Sequence, residues 1–137
     1  MASLEEFCTI KASLDMNVIG KAPAGMRIDF PFSGTAMGPF WEGERPVRGV
    51  DYVTVRSDGH MDLDIRGTIG EGRQQVAYRA TGVSLAGEER GTAYPQELLT
   101  FQTGDEDLAF LNERIGVAVG SGVGADLRLT VYLVNRS

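Results

Sequence analysis

Cysteine, histidine and tryptophan occur once each in this chain of 137 residues, as Cys8, His60 and Trp41. A single cysteine excludes an internal disulfide framework and fits a reducing compartment. Its place in an alternating run reads as a buried structural thiol rather than a nucleophile. His60 is the sole candidate base for a Ser-His-Asp hydrolase, and beside a turn it reads more plainly as a solvated residue. Structural zinc is excluded by ligand count. No apolar run approaches the roughly 18 residues that a membrane helix needs. The opening MASLEEFCTIKASL carries two early glutamates and no signal-peptide core. The Asn135-Arg136-Ser137 sequon therefore reads as chance. Thirteen Lys and Arg stand against nineteen Asp and Glu, a net charge of −6 with no basic stripe, which argues against nucleic acid or an anionic membrane as partner. The expectation is a cytoplasmic protein with a small-molecule ligand, no cofactor and no metal, and with a homodimer left open.

A sustained 3.6-residue apolar period is also missing, which argues against an α-helical fold. Glycine is plentiful instead: eighteen residues, about twice the usual share of roughly 7%, fall between short alternating runs, as many strands and tight turns require. Residues 1–137 read as one domain, long enough to bury a sizeable core. Glu6 to Leu14 forms a first strand and Met16 to Pro23 a connector. Met26, Ile28, Phe30 and Phe32 share the apolar face of a strand that Pro31 marks as an edge or a bulge. Gly34 to Gly49 reads as a long irregular or short-stranded loop with Phe40 and Trp41 at its centre, packed in the core or lying as a lid over a cavity mouth. Ser84 to Pro95 reads as a polar turn region and Leu98 to Gln102 as a short strand. Asp105 suits the N-cap of a single helical turn. Arg114 to Val119 and Ala125 to Val134 close the chain as a hairpin around Gly120 to Gly124, with Leu127, Leu129, Val131 and Leu133 on one face. The expected fold is an all-β antiparallel barrel or strongly curved sandwich of about eight to ten strands. A barrel of about eight strands can hold one small ligand, as lipocalins do.

Val50 to Gly82 holds nearly all the candidate chemistry. Asp58-Gly59 suits a two-residue hairpin turn, which sets Asp51 opposite Arg66 and Val53 opposite Asp64. A second turn near Glu71-Gly72 sets Asp64 opposite Arg79 and Ile65 opposite Tyr78. One face then carries Tyr52, Thr54, Met61, Leu63, Ile65, Val76, Tyr78 and Ala80. The other carries Asp51, Val53, Val55, His60, Asp62, Asp64, Arg66, Arg79 and Thr81. Opposed residues lie with Cβ atoms about 4.5–5.5 Å apart, so Asp51 with Arg66 and Asp64 with Arg79 form expected ion pairs. The charged face is either solvated, as is common in antiparallel sheets, or it lines a barrel cavity in which its pKa values shift.

Gly34 with Gly38-Pro39 and Gly43, Gly49-Val50-Asp51, Asp58-Gly59 and Asp64-Ile65-Arg66 form one set of ordered pieces; Gly82, Phe101-Gln102-Thr103, Leu111-Asn112, Gly120 and Val131-Tyr132 follow. In their order and spacing, from about Gly25 to Val134, the chain resembles domain-of-unknown-function family 3237, also called uncharacterised protein family 0311. The resemblance implies a lipocalin-like (calycin-like) barrel and places Asp51, Asp64 and Arg66 in the family pattern. It carries no agreed activity. The chain departs from that pattern at Gly67, at Gly70-Glu71-Gly72 and at Phe110.

A hard-cation site from Asp62, Asp64 and His60 is opposed by Arg66 and Arg79 nearby, and the Asp62/Asp64 spacing reaches glycosidase range without a sugar-stacking pattern. Acid–base catalysis without a metal fits better: Asp64 or Asp51 moves a proton and Arg66 holds an anionic oxygen, while Trp41, His60, Asp62, Tyr78 and Arg79 bind the substrate. Cyclisation, isomerisation or hydration of a small carbonyl compound suits such a site. The competing readings are a non-catalytic carrier and a structural oligomer built on the edge near Pro31.

Overall fold

Alternation of apolar and polar side chains runs through most of the chain, and each alternating run forms a strand of one antiparallel sheet. The computed structural model describes residues 1–136; Ser137, the last position of the sequon, lies outside the described residues. The strands are β1 (Ala2–Leu14), β2 (Asn17–Ala22), β3 (Gly25–Met37), β4 (Arg45–Val55), β5 (Met61–Ile69), β6 (Val76–Ala86), β7 (Thr92–Thr103), β8 (Ile115–Val123) and β9 (Asp126–Arg136). Their order is β1-β9-β8-β7-β6-β5-β4-β3-β2, and β1 also pairs with β3. Eight strands therefore close into an antiparallel barrel, with β2 hung on β3 as an extra strand. A 3₁₀ turn spans Gly72–Gln74 and a 3₁₀ helix Glu106–Glu113. The helix is capped as expected, Asp105 Oδ1 accepting from the Asp107 N–H at 3.1 Å. Among the described residues no helix is long and apolar enough to cross a membrane.

Several segments read as loops are strands. Met16–Pro23 contains β2, most of Gly34–Gly49 belongs to β3 and β4, and β6 and β7 consume the ends of Ser84–Pro95. The glycine run from Gly120 continues β8 to Val123, leaving Gly124 and Ala125 to turn the chain. Backbone pairing carries these segments where their side chains give no alternation. Pro31 is explained by the closure. β3 pairs with β2 up to Asp29 and with β1 from Phe32, so Pro31 stands where β3 changes partner. Its carbonyl accepts from the Asp15 N–H at 2.8 Å, and the donor that proline lacks points into that change-over and not at β4.

The first hairpin differs from the expected one by a single residue, and this decides the site. Arg56 N–H donates to the His60 carbonyl, and Gly59 N–H to the Arg56 carbonyl, so the loop is Ser57-Asp58-Gly59, with Gly59 at φ +87°. This is the three-residue hairpin with a left-handed last position, not the two-residue turn. The register becomes Val55 to Met61, Thr54 to Asp62 and Asp51 to Ile65. A slip of one residue exchanges the faces of one strand relative to the other. Asp51, Val53 and Val55 thereby join Leu63 and Ile65, while Tyr52 and Thr54 join Asp62, Asp64 and Arg66. Between β5 and β6 the pairing is Arg66 to Arg79 and Gly67 to Tyr78. That is a shift of two from the expected register and leaves the faces unchanged.

The barrel interior divides along its axis. At one end Phe7 packs against Phe40, Trp41 and Phe101 with ring centroids 5.5–5.8 Å apart, and Phe40 meets Phe110. Leu108 and Leu111 of the 3₁₀ helix are buried in the same core. This end is plugged. The other end, ringed by the β4–β5, β6–β7 and β8–β9 turns, is hollow.

Candidate functional site

The hollow is a cavity of about 330 Å³. Its wall is apolar for most of its extent, with Ile10, Phe32, Val53, Leu63, Ile65 and Leu129 among the lining residues. Five polar side chains interrupt it: Asp51 from β4, Tyr78 and Ser84 from β6, and Thr92 and Glu97 from β7. No Lys, Arg or His lies among the lining residues.

Glu97 is 6% exposed and Tyr78 7%. Burial pushes the Glu97 carboxyl up to about 8, and the nearby Asp51 charge adds to the shift. Asp51 is pushed up to about 7, chiefly by burial; the Asp64 backbone N–H, donating to the carboxyl, offsets part of this, and the Asp64 charge adds to it. Oδ1 of Asp51 is buried without a hydrogen-bond partner. Burial raises the Tyr78 phenol, with Glu97, Cys8 and Asp51 contributing. Cys8, fully buried, is raised to about 12 by burial and Glu6, and stays a thiol. Apolar surroundings thus hold two carboxyl groups of one cavity above the ordinary carboxylate range, where each can carry a proton near neutrality.

Of the residues singled out in the sequence, Asp51 and Tyr78 line the cavity. The others do not. Asp62, Asp64, Arg66 and Arg79 stand on the outer wall, so the expected pairing of Asp51 with Arg66 does not form and Arg66 cannot hold a substrate oxygen in the cavity. The one-residue register change is the cause. Asp64 does meet Arg79, Oδ1 to Nε at 3.6 Å, with both side chains about half exposed; in high dielectric such a pair contributes about 0–1 kcal/mol. Asp62 pairs instead with Arg56 at 3.3 Å. His60 caps the hairpin, its Nδ1 accepting from the Ala86 N–H at 3.1 Å, a link between β5 and β6. Trp41 belongs to the plugged end, edge-on to Phe7 at 5.5 Å and under the Arg45 guanidinium at 4.8 Å. Its indole N–H donates to the Ala36 carbonyl.

Glu97 and Ser84 were missed. Glu97 sits in Thr92–Thr103, where buried positions alternate from Pro95 to Phe101; extending the Leu99 and Phe101 alternation back by two residues would have placed it inside. Its charge argued for solvent. Gly67 makes room for Tyr78: a Cβ there would come within 2.8 Å of the Tyr78 ring and hydroxyl, so the ring lies over a bare backbone on the neighbouring strand.

The family profile of DUF3237, described as a protein of unknown function, matches residues 2–134. The chain belongs to this family. Among solved structures the DUF3237 chain resembles a protein of unknown function from Clostridium acetobutylicum, with a TM-score of 0.86 and 21% identity over 98% of this chain and 100% of that one. A β-barrel-like protein from Acinetobacter baumannii gives a TM-score of 0.85 at 18% identity, covering 98% of this chain and 97% of the other. An enzyme from Penicillium herquei gives 0.65 at 18% identity, covering 98% and 95%. No curated protein matches the chain in sequence. At these identities the likeness is one of fold.

Proposed function

We propose that this DUF3237 barrel is a small-molecule enzyme that performs acid–base chemistry on an uncharged carbonyl compound in its cavity. The observation that carries the reading is the enclosure of Asp51 and Glu97 in one apolar cavity, their carboxyl groups raised to about 7 and about 8. Perturbed titrating groups in a cleft are a mark of functional sites. Asp51, the stronger acid, is the base that removes a proton from the carbon next to the carbonyl. Glu97, which holds its proton longer, donates to the carbonyl oxygen, and the Tyr78 hydroxyl supports that oxygen as charge develops. Asp51 can return its proton at a conjugated carbon, giving isomerisation, or the enol carbon can attack a carbonyl carbon of the same molecule, closing a ring while Asp51 protonates the new alkoxide. In either case Glu97 recovers its proton from the enol hydroxyl. An anionic substrate finds no cation among the lining residues, and an uncharged one meets an apolar wall. The fold is shared with a Penicillium herquei protein described as an enzyme, which agrees with this reading.

The test is deuterium incorporation next to the carbonyl of small cyclic ketones, such as cyclohexanone and 2-tetralone, followed by NMR in heavy water. Exchange faster than in buffer is expected, greatest between about pH 7 and 8 and reduced about a hundredfold or more in Asp51→Asn and Glu97→Gln. The predominantly apolar wall favours a carrier as the second reading. Ketone binding without exchange, equal in wild type and Asp51→Asn, would assign that role.

A further inference from the structure

The wall beside Asp51 is not continuous. In the β4–β5 ladder Asp51 pairs with Ile65 and Thr54 with Asp62, but Tyr52 and Val53 have no paired residue between them. There the Asp64 N–H turns to the Asp51 carboxyl. Directly outside lies a depression of about 440 Å³ bordered by Arg27, Tyr52, Thr54, Asp62, Leu63, Asp64 and Arg66. Leu63 alone borders both this depression and the inner cavity. On either side of the lapse a carboxylate oxygen, Oδ1 of Asp51 and Oδ1 of Asp64, is buried without a hydrogen bond; the Arg79 Nε at 3.6 Å from the latter is too far to provide one. A buried acceptor left open is unfavourable, and two flanking one seam mark a polar passage through an otherwise apolar wall.

We propose that the seam between β4 and β5 is a side port for protons, in which Asp51 passes its proton through the barrel wall to Asp64 and Asp64 trades it with solvent. This rests on the acid–base reading, in which deuterium exchange requires Asp51, once protonated by the substrate, to trade that proton with solvent. A ligand filling the apolar mouth blocks the direct way to water, and the seam lets Asp51 trade its proton from the side. Each passage moves one proton: the Asp64 carboxylate accepts it from the Asp51 carboxyl inside, gives it to water or a buffer base outside and returns to its anionic form, and the reverse passage brings one in. Inside, Glu97 and Tyr78 face Asp51. Outside, Arg79 faces Asp64, with Arg27, Asp62 and Arg66 around the depression. Asp64 is a relay residue and does not touch the substrate.

The experiment is a stopped-flow pH jump from about pH 5 to about pH 9, which spans both raised carboxyls, read by the infrared carbonyl band of protonated Asp51 and assigned by its loss in Asp51→Asn. Asp64→Asn should slow loss of the band about a hundredfold, and Asp64→Glu should restore it. Equal rates in all three proteins would overturn the port, since protons would then pass by the mouth. Slow exchange in both Asp64 variants would reduce Asp64 to a structural role, and a band that does not titrate in this range would overturn it too. Ligand-free protein suffices, so failure of the port is distinct from failure of the ketone test.

Discussion

Glu97 shows how far a single buried carboxyl reaches. Its folded pKa of about 8 lies above the ordinary carboxylate value, so between these values the folded state binds more protons than the unfolded one. Stability then falls as pH rises. The stabilising difference is complete below about pH 4, where both states are protonated, and is lost as pH passes through about 8; Asp51, raised to about 7, acts in the same direction. Urea unfolding at several pH values should show wild-type stability declining from about pH 4 to about pH 8. In Glu97→Gln the decline should be much shallower and the protein more stable near pH 9. A stability that instead climbs over this range would show both carboxyls to be ionised and solvated. Individual residue identity was a mixed guide. Asp51 and Tyr78 stood out in alternating runs, although alternation set them on opposite faces and the structure places both on the cavity wall, whereas Glu97 was hidden by the usual rule that glutamate faces water.

Secondary structure was legible where side chains alternate and obscure where the backbone alone carries the pairing. β4 to β6, the Asp105 cap and the inward Leu127, Leu129, Val131 and Leu133 of β9 follow from periodicity. β2 does not: five of its six residues are exposed, and only hydrogen bonds to β3 make it a strand. The β5–β6 pair carries a test of its own. Gly67 stands opposite Tyr78, and a methyl group there would meet the ring at 2.8 Å. Gly67→Ala should therefore cost about 1–3 kcal/mol, the usual range for overpacking, and drive the Tyr78 ring into the cavity. Chemical denaturation measures the first effect, and weaker ketone binding the second. An unchanged midpoint would mean that the ring yields freely.

Over the whole barrel, the aromatic core and the cavity occupy opposite ends. The aromatic plug of Phe7, Phe40, Trp41, Phe101 and Phe110 closes one end and the carboxyl pair occupies the hollow at the other. Phe7→Ala should cost about 3–5 kcal/mol and shift Trp41 fluorescence, while a ketone bound in the cavity of the wild-type protein should leave that fluorescence unchanged. Denaturant unfolding and a fluorescence titration check the two halves, and a Trp41 response to ligand would show that the ends are linked. The amino-acid sequence by itself determined an antiparallel barrel, since alternation with a period of two and glycine-rich turns leaves few other ways to bury one face of so many short strands. Only the tertiary structure decided which face that is. A hairpin loop of three residues instead of two costs almost nothing locally, yet it turns Asp51 inward and leaves Arg66 in solvent. The partner that completes the site, Glu97, comes from a strand distant in sequence, and only closure of the barrel brings the two carboxyls into one cavity.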